Sequence, residues 1–525
     1  MEQESYKQYY LPIAGARLIE YSKLLEEVFK PAGNYQKPEA AQAVLFSLLT
    51  KLSAITENYF GPALASRALP DHSTPPTNWT SIINYLKKEG LIKGFYFEAM
   101  FNDDPQYFRT FIDTPFNPKV FNSDGRRSSF NVFNHGDSLD AEEAIAKCIG
   151  EFLERFPLLL YKEKDFLRSS MNDLEKKGRN FLDINKLAGY SAEQKSALVS
   201  RQFNQDSHFF WLGAKSLFRQ EEVLTPAQLI FWNYNINHQG WQEPVLTESN
   251  TNGAGGHYNL TQAILAGIYE LIQRDGFLIY WLNHQPPSKI STDTIKYQPL
   301  RAVLEDCWRL GFEVNFFDTT SDIGIPSCVG CIIDESDIGP RFSLGGGCGV
   351  DWDKALMRSL MEALSVRHWL RVRQLEPEKN SVTLSLDDKY EPFSDWSFNQ
   401  AKRITLWSGK KMFKNFEFFR NGRIVSLDEL KKNSPRFANP EEELDHLIKI
   451  FRNLGEDYEI LYYQAKHKAL NDLNYVSVRV VIPPLVQLYL YEPNAPLGAR
   501  RLKEVPEKVG FKAAKNFNPW PHPFP

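Results

Sequence analysis

Ala144-Ile-Ala-Lys-Cys-Ile-Gly-Glu151-Phe-Leu-Glu154-Arg155 is the stretch that decides how this chain is interpreted. Its apolar residues recur at the spacing of one helical face, which predicts an amphipathic helix. Glu151 and Glu154 are three positions apart and therefore share a face of that helix. Two like charges beside an apolar face need a cation, and Mg²⁺ prefers carboxylate oxygens. The stretch predicts a metal-binding helix, although a surface salt bridge is the commoner origin of any single charged pair.

A second stretch repeats the pattern about 120 positions later in the chain. Leu265-Ala-Gly-Ile-Tyr-Glu270-Leu-Ile-Gln-Arg-Asp275 has Gln273 where a second glutamate would match the first helix. It follows Glu248-Ser-Asn-Thr-Asn-Gly-Ala-Gly-Gly256, whose small residues predict a loop that lets backbone approach a ligand closely.

A third stretch, Ala355 to Arg367, follows the run Gly345-Gly-Gly-Cys-Gly349, which also predicts a loop. Arg358 and Glu362 are four positions apart and share a helical face. The sequence has no P-loop motif, so the glycine run alone is a weak phosphate signal. A glycine-rich segment before a Glu/Arg helix, met twice, nevertheless predicts Mg²⁺ and nucleotide phosphates held by carboxylates and arginines.

Composition excludes several classes of protein. The chain has 525 residues, 42% of them hydrophobic, which indicates a globular protein with a large core. The formal net charge of −4 gives no reason to expect a nucleic acid or membrane partner. The polar first residues predict no secretory signal, and the apolar runs are too short to span a bilayer. Five cysteines in this length predict reduced thiols and a cytoplasmic protein.

Cys328 and Cys331 form the one C-x-x-C pair of the chain. They lie in an apolar run, 322–334, that predicts a buried strand, where positions three apart face opposite sides. No second pair completes a zinc site. We therefore expect two inert, buried thiols.

The pattern of predicted helices and strands changes near residue 118, which divides the chain into two parts. Residues 1–118 predict a mostly helical docking or scaffold domain, with amphipathic stretches at 39–60 and 79–94. Residues 119–525 alternate helices with β-branched strands, which predicts an α/β (α+β) fold of mixed sheets packed with helices. The predicted elements there include a helix at 299–310 and strands at 312–317, 327–333 and 476–482.

The last eight residues, Asn518-Pro-Trp-Pro-His-Pro-Phe-Pro525, have proline at every second position. Proline fixes φ and lacks an N–H, so this tail cannot join a helix or a central strand. It predicts a stiff polyproline-II rod that delivers the Pro525 carboxylate to a fixed place. The alternative, a disordered terminus, is the usual state of a chain end.

At these residues the chain resembles the YcaO family, over roughly 119–525. The segments 150–155, 252–275 and 345–367 resemble the family's three ATP/Mg²⁺ motifs, in order. The segments 475–485 and 497–502, with the proline-alternating terminus, resemble the subgroup that forms azolines in ribosomal peptides. Residues 1–118 resemble no family known to us.

The resemblance implies an ATP-dependent cyclodehydratase acting on Cys, Ser or Thr of a precursor peptide. The side-chain nucleophile adds to the preceding amide carbonyl, ATP phosphorylates the resulting oxygen, and phosphate leaves as the thiazoline or oxazoline forms. Transferred residue by residue, the resemblance implies Mg²⁺ ligands at Glu151, Glu154 and Glu270. It implies nucleotide contacts at Arg155, Ser249, Asn252, Arg274, Arg358, Glu362 and Arg367, and a base at the Pro525 carboxylate.

The resemblance also implies partners: a precursor peptide, a separate leader-peptide-binding protein docking partly on residues 1–118, a flavin-dependent dehydrogenase, and a second copy in a homodimer. Lys147, Tyr258, Gln262, Gln273 and Ser365 depart from residues often found in the family. Two alternatives stay open. One is another ATP-dependent change of the amide backbone, such as thioamidation, and the other is a scaffold subunit that no longer turns over ATP.

Overall fold

The computed structural model describes residues 79–114, 134–234, 236–238, 241–336, 339–374, 390–396, 400–432 and 434–524. The stretch predicted to be amphipathic at 39–60 and the terminal residue Pro525 lie outside the described residues.

The helices, numbered in chain order, are α1 Trp79–Lys88, α2 Ala141–Arg155, α3 Met171–Lys176, α4 Ala192–Ala197, α5 Ala227–Ile230, α6 Leu260–Leu282, α7 Gln298–Arg309, α8 Trp352–Gln374, α9 Gln400–Trp407, α10 Lys410–Phe413, α11 Glu417–Arg420, α12 Leu427–Lys431, α13 Pro440–Leu454, α14 Lys468–Asp472 and α15 Arg501–Lys508. The strands are β1 Gly94–Glu98, β2 Phe108–Asp113, β3 Asn134–Ser138, β4 Leu167–Ser170, β5 His208–Ser216, β6 Glu222–Pro226, β7 Asn237–His238, β8 Trp241–Gln242, β9 Ala254–His257, β10 Ser288–Ile290, β11 Glu313–Asp318, β12 Ser327–Ile333, β13 Phe342–Cys348, β14 Ile424–Val425, β15 Leu461–Gln464 and β16 Val476–Val481. The helix predicted at 299–310 and the strands predicted at 312–317, 327–333 and 476–482 are confirmed within one residue at each end.

The strands of the described residues form three larger sheets that the helices cover. A three-stranded antiparallel sheet has the order β1-β2-β3. A five-stranded sheet has the order β13-β12-β11-β10-β14 and is mixed, because β10 pairs parallel with β14 and antiparallel with β11. A third sheet has the order β4-β5-β15-β16-β9, with β6 on β5. The fold is therefore α+β, as the sequence predicts.

Three strand–helix pairs share one packing device. In β3–α2, β9–α6 and β13–α8, a strand glycine lies against the backbone of the fourth helical residue, eight positions later in the chain. A Cβ on that glycine would stand within 2.1 Å of the helix carbonyl oxygen, so no larger residue fits. The pairs are Gly136 with Ala144, Gly255 with Ala263, and Gly347 with Ala355.

This packing corrects the interpretation of the glycine runs. The prediction of a loop at 345–349 is wrong, because β13 runs through Phe342–Cys348 and its glycines let α8 lie close. The loop predicted at 248–256 is shorter than expected, since β9 begins at Ala254. Gly253 makes the turn into that strand with φ of 79°, in the left-handed region that favours glycine.

The described part of the predicted N-terminal domain packs directly on the rest of the chain. Strand β2 pairs with β3 across the predicted boundary at 118. One hydrophobic cluster joins Trp79, Ile82 and Leu86 of α1 to Ile149 and Phe152 of α2. The division into 1–118 and 119–525 remains a prediction.

Cys328 and Cys331 lie on β12 with side chains that are fully buried. Cys331 belongs to a cluster that includes Phe277 and Phe524, whereas Cys328 belongs to one that includes Trp352. The two thiols therefore face opposite sides of the strand, as predicted. Burial raises the pKa of each thiol to about 12, so both are inert at neutral pH. None of the helices in the described ranges has the length and apolarity needed to cross a bilayer.

Candidate active site

The three strand–helix pairs place three glutamates in equivalent positions. Glu151 of α2, Glu270 of α6 and Glu362 of α8 each come fifteen residues after the packing glycine of their own pair. Each glutamate is the eleventh residue of its helix, and each helix packs on its strand through the same glycine contact, so this equal spacing brings the three carboxylates toward one another. The electrostatic environment of Glu362 includes both Glu270 and Glu151.

Each of these glutamates accepts a hydrogen bond from backbone at the strand of its own pair. His135 N donates to Glu151 Oε2 at 2.8 Å, Gly253 N to Glu270 Oε2 at 2.6 Å, and Gly346 N to Glu362 Oε2 at 2.6 Å. A backbone N–H fixes the orientation of a carboxylate without neutralising it. The repeated contact therefore fixes three carboxylates at the same position, the eleventh residue, of the three helices.

Two arginines pair with the cluster from within its own helices. Arg155 Nη1 lies 2.7 Å from Glu151 Oε1, and Arg274 Nη2 lies 2.6 Å from Glu270 Oε1. Asn252 is fully buried, accepts a hydrogen bond from Arg274 and donates to the Leu488 carbonyl at 2.7 Å. Asn252 thus orients an arginine.

Glu154 is the least compensated carboxylate of the group. No donor or cation among the described residues reaches its carboxylate in a hydrogen bond or an ion pair. Burial raises the pKa of Glu154 to about 8; Arg155 opposes the shift, and the nearby charges of Glu270 and Glu151 add to it.

Glu362 and Arg155 show the same crowding of negative charge. Burial raises the pKa of Glu362 to about 7, against the hydrogen bond from Gly346. Burial would lower the pKa of Arg155, yet carboxylates led by Glu151 and Glu154 raise it above its ordinary value. A cation at this cluster would reverse the rise in the carboxyl pKa values.

The donor set fits Mg²⁺ and phosphate. Four carboxylates supply hard oxygen ligands, and the uncompensated Glu154 is where a divalent cation would relieve most repulsion. In the described residues no three His, Cys, Asp or Glu side chains already stand close enough to share a metal ion. The contacts of Glu151 and Glu270 explain this, because each has its two oxygens on a guanidinium and a backbone N–H. Metal binding would therefore exchange arginine contacts for metal contacts and free the arginines for phosphate.

The structure brings most, not all, of the predicted residues to this cluster. Arg358 is exposed one helical turn before Glu362, where its Nη1 donates to the Cys348 carbonyl at 3.2 Å. Ser249 lies in the preceding loop, where its hydroxyl accepts from Tyr234 N at 3.1 Å. Pro525 lies outside the described residues.

Arg367 is directed elsewhere. Its guanidinium is buried, donates to Asp104 at 2.7 Å and to Asp334 at 2.8 Å, and stacks on Phe312. These contacts join β12 and α8 to the segment before β2. The buried carboxylates that this arginine neutralises keep it from the acidic cluster, so the geometry gives it a structural role.

Arg479 is a residue of this region that the sequence analysis missed. It lies in β16, is 3% exposed, and donates to the Leu229 carbonyl and to Asn250 Oδ1. Burial lowers its pKa to about 10, against the neighbouring charge of Glu270. Its Nη1 has no hydrogen-bond partner among the described residues. An arginine in the middle of an apolar strand was the available signal.

The described part of the proline-rich tail reaches the acidic cluster. Residues 518–524 form neither helix nor strand, and His522 and Phe524 are 0% and 3% exposed. The Phe524 ring packs on Phe277 at 4.5 Å and lies over Gly346, the donor to Glu362. The last described residues of the tail, 521–524, are therefore buried against the core.

Gln273 and Ser365, two of the residues that depart from the resemblance, also lie here. Gln273 places its amide nitrogen over Gly346, beside Phe524. Ser365 accepts a hydrogen bond from Arg109 at 2.8 Å and lies 3.0 Å from His135 Nε2. Gln273 and Ser365 each come eighteen residues after the packing glycine, the position that Glu154 holds in the first pair. The three strand–helix pairs thus repeat one unit. Of these three, the first pair alone has glutamate at both positions, fifteen and eighteen residues after its glycine.

Comparison with known families identifies this region. The family model described as YcaO cyclodehydratase, ATP- and Mg²⁺-binding, matches residues 135–486, which is more than half of the chain and contains all four carboxylates. A protein of Methanothermobacter thermautotrophicus without a characterised function is 27% identical over 314 residues, which are 58% of this chain and 72% of that protein. An uncharacterised protein encoded in the tfuA 3′ region of Rhizobium leguminosarum bv. trifolii is 23% identical over 48% of this chain and 58% of its own length.

Solved structures share the fold. A heterocyclase in complex with substrate and cofactor aligns with a TM-score of 0.67 and 16% identity over 87% of this chain and 58% of its own. The heterocyclase TruD aligns with a TM-score of 0.52 and 18% identity over 73% of this chain and 51% of its own. YcaO from Methanopyrus kandleri, bound with AMPPCP and Mg²⁺, aligns with a TM-score of 0.51 and 14% identity over 78% of this chain and 91% of its own. The chain thus spans little more than half of the two heterocyclases.

Proposed function

The chain belongs to the YcaO family, and we propose that it is an ATP- and Mg²⁺-dependent peptide cyclodehydratase. Its substrate would be a ribosomal precursor peptide in which Cys, Ser or Thr becomes thiazoline or oxazoline. The observation that carries this proposal is the meeting of two features at Gly346. Gly346 donates to Glu362 of the four-carboxylate cluster, and the Phe524 ring of the proline-rich tail lies over the same glycine.

The residues divide into two roles in this proposal. Mg²⁺ would be held by Glu151, Glu154, Glu270 and Glu362. These carboxylates lie close enough to repel one another, and the positive charge of Mg²⁺ would offset that repulsion. Arg155, Arg274 and the exposed Arg358 would bind phosphate oxygens, and Asn252 would keep Arg274 in place. ATP supplies the phosphoryl group that turns an amide oxygen into a leaving group.

The tail would act at the peptide. Its described end reaches the cluster, and Pro525 follows Phe524 directly. We propose that the Pro525 carboxylate accepts the proton released when the substrate's thiol or hydroxyl attacks the amide carbon. A carboxylate on a stiff, buried arm keeps its distance from that atom, which a flexible terminus would not.

Partners form part of the proposal. The E. coli microcin synthetase McbBCD complex also shares the fold, with a TM-score of 0.50 and 14% identity over 75% of this chain. We propose that a separate leader-peptide-binding protein presents the precursor, partly against residues 1–118. A flavin-dependent dehydrogenase could then oxidise the rings, and a homodimer is compatible with this arrangement.

A reaction with the purified chain, its partner protein, a precursor peptide and Mg²⁺–ATP tests this function. ADP formation with the loss of one water per ring from the peptide mass supports cyclodehydration. In a parallel reaction with sulfide added, ADP formation with the amide oxygen replaced by sulfur in the peptide indicates thioamidation instead. No ADP formation with every component present indicates a scaffold subunit and overturns the proposal.

A further inference from the structure

The covalent structure of the tail leaves its backbone almost no freedom. Pro519, Pro521 and Pro523 each hold φ near the polyproline value. Asn518, Trp520, His522 and Phe524 each precede a proline, which excludes the helical region for them as well. Every residue from 518 to 524 is therefore restricted to extended or polyproline-II backbone, in agreement with the absence of helix or strand there.

Three side chains donate to three consecutive carbonyls of this rod. The Tyr390 hydroxyl donates to the Pro519 carbonyl at 2.9 Å. Trp281 Nε1 donates to the Trp520 carbonyl at 3.3 Å, and Trp407 Nε1 donates to the Pro521 carbonyl at 2.9 Å. The donors come from three separate places in the chain: the segment 390–396, the end of α6 and the end of α9.

The threefold symmetry of a polyproline helix explains why the donors come from different elements. With three residues per turn, successive carbonyls point about 120° apart around the axis. Donors on a single element could reach only one of these directions. We propose that Tyr390, Trp281 and Trp407 form a three-sided clamp that fixes the axial register of the tail, and that they are positioning residues for its end.

Two different periods in the tail make that register unique. Prolines repeat every two residues, whereas carbonyl directions repeat every three. A slide of two residues keeps proline on proline but turns every carbonyl away from its donor. A slide of three residues restores the carbonyl directions but places aromatic side chains where prolines fit. Both patterns return together only after six residues, or about 19 Å, so no nearby register competes.

Contacts beyond the clamp depend on this register. His522 Nε2 lies 2.9 Å from the Tyr489 carbonyl, and because a carbonyl only accepts, Nε2 carries the proton of the ring. Two residues farther on, Phe524 reaches Phe277 and Gly346. A clamp at Pro519–Pro521 thus sets where the tail ends beside Glu362. The clamp stands on these contacts alone, while its catalytic consequence rests on the proposed function.

A fluorine probe at the end of the tail tests the clamp. In the full-length chain, Phe524 is replaced by 4-fluorophenylalanine, and the ¹⁹F chemical shift and line width report the environment of this ring. Tyr390→Phe and Trp407→Phe each remove one donor. Trp211→Phe is the matched control, because Trp211 is equally buried and its Nε1 donates to the Ser169 carbonyl, outside the clamp. A two-residue Gly-Ser insertion after the exposed Lys515 lengthens the chain before the clamp, and a His-Pro insertion after Pro523 lengthens it beyond the clamp.

The clamp predicts a different outcome for each class of variant. The insertion before the clamp and Trp211→Phe should keep the wild-type resonance, because the register is set after residue 515. Tyr390→Phe, Trp407→Phe and the insertion beyond the clamp should shift or broaden it and lower ring formation by about tenfold or more. A wild-type resonance in both donor variants, or a shifted one after the Lys515 insertion, overturns the clamp. Shifts as predicted in a protein that forms no rings would leave the clamp standing and reject the proposed function.

Discussion

Gly346 donates its backbone N–H to Glu362 Oε2 at 2.6 Å. The same glycine has the Gln273 amide and the Phe524 ring packed over its α-carbon, so that a Cβ would stand 2.1 Å from Gln273 Nε2 and 2.7 Å from Phe524 Cζ. Gly346 therefore joins the carboxylate cluster to the tail, and no side chain fits between them.

Gly346→Ala should separate the cluster from the tail. The added methyl group must displace Gln273 or Phe524, and we expect ring formation to fall by about tenfold or more because the tail loses its seat. Gly189→Ala is the control, since its Cβ would meet only the Leu187 carbonyl, at 3.7 Å. Equal rates of ring formation in the two variants, measured by peptide mass, would show that nothing depends on the close approach at Gly346.

Glu154→Gln should remove ATP turnover and leave the fold intact. The neutral amide cannot supply the negative charge that Glu154 would give to Mg²⁺. Without the bound Mg²⁺, the negative charge of the ATP phosphates is no longer balanced. Glu151→Gln should have the same effect. Glu142→Gln, at an exposed position of the same helix, is the control and should turn over ATP normally. Normal ADP formation by Glu154→Gln at saturating Mg²⁺ would refute the metal assignment.

The contribution of Glu154 and Glu362 to the stability of the ligand-free chain should fall as the pH rises. The pKa of Glu154 is about 8 in the folded chain against an ordinary value of 4.5, and that of Glu362 is about 7. Between these values the folded state keeps protons that the unfolded state has released, so the contribution to stability is lost as the pH rises through about 4.5 to 8. Glu243 and Glu492, with pKa values of about 7, act in the same direction. His368 and His522, whose pKa values burial lowers, act in the opposite direction below about pH 6.5, so the comparison with a Glu154 variant isolates the cluster.

Thermal melts at several pH values measure this effect. Glu154→Gln should reduce the loss of stability between about pH 5 and about pH 8, and Mg²⁺–ATP should stabilise the wild type most at the alkaline end. A Glu154→Gln variant whose stability changes with pH as the wild type's does would contradict the electrostatic description of the cluster.

Gln273→Glu should make the site more dependent on metal. A fifth carboxylate next to Glu362 and against the Phe524 ring should lower the ligand-free stability by on the order of 1–3 kcal/mol. Mg²⁺–ATP should then raise the unfolding temperature more than in the wild type, since the new charge has a partner. If Mg²⁺–ATP instead raises the unfolding temperature of the variant less than that of the wild type, residue 273 faces the tail and does not contact the metal.

A tag at the C-terminus should abolish ring formation and spare ATP binding. A tag removes the free carboxylate that we propose to act on the peptide, next to the buried Phe524, whereas the proposed phosphate ligands lie on α2, α6 and α8. Deletion of Phe524 and Pro525 should have the same effect, because it draws the end back by about 6 Å. If the tagged enzyme forms rings at the same rate as the untagged enzyme, the free carboxylate has no part in the reaction and the tail has only a structural role.

Much of the site could be predicted from sequence because its signal is local. Glu151, Glu154 and Glu270 lie on helices whose face and spacing are visible in the chain, and their convergence follows from one repeated strand–helix unit. The repeat itself was hidden, since the sequence shows it only by a single glycine fifteen residues before each of Glu151, Glu270 and Glu362. The glycines indicate a loop by composition, but they serve the close packing of a helix on a strand.

Other features depend on contacts that no local pattern reveals. Arg367 shares a helix with Glu362, and only the fold shows that Asp104 and Asp334 engage it. Arg479 reaches the cluster from a strand more than 200 positions after Glu270. The stiffness of the tail was readable from its prolines, whereas the three donors that hold it come from distant segments.

The fate of a labelled oxygen tests the central claim most directly. A precursor peptide with ¹⁸O in the amide carbonyl before a Cys, Ser or Thr is incubated with the chain, its partner protein and Mg²⁺–ATP. If ATP activates the amide oxygen, ¹⁸O appears in inorganic phosphate, one atom for each ring formed, and Glu154→Gln releases none. Phosphate that carries no ¹⁸O while rings form, or ATP consumption with the label retained in the peptide, would contradict the account.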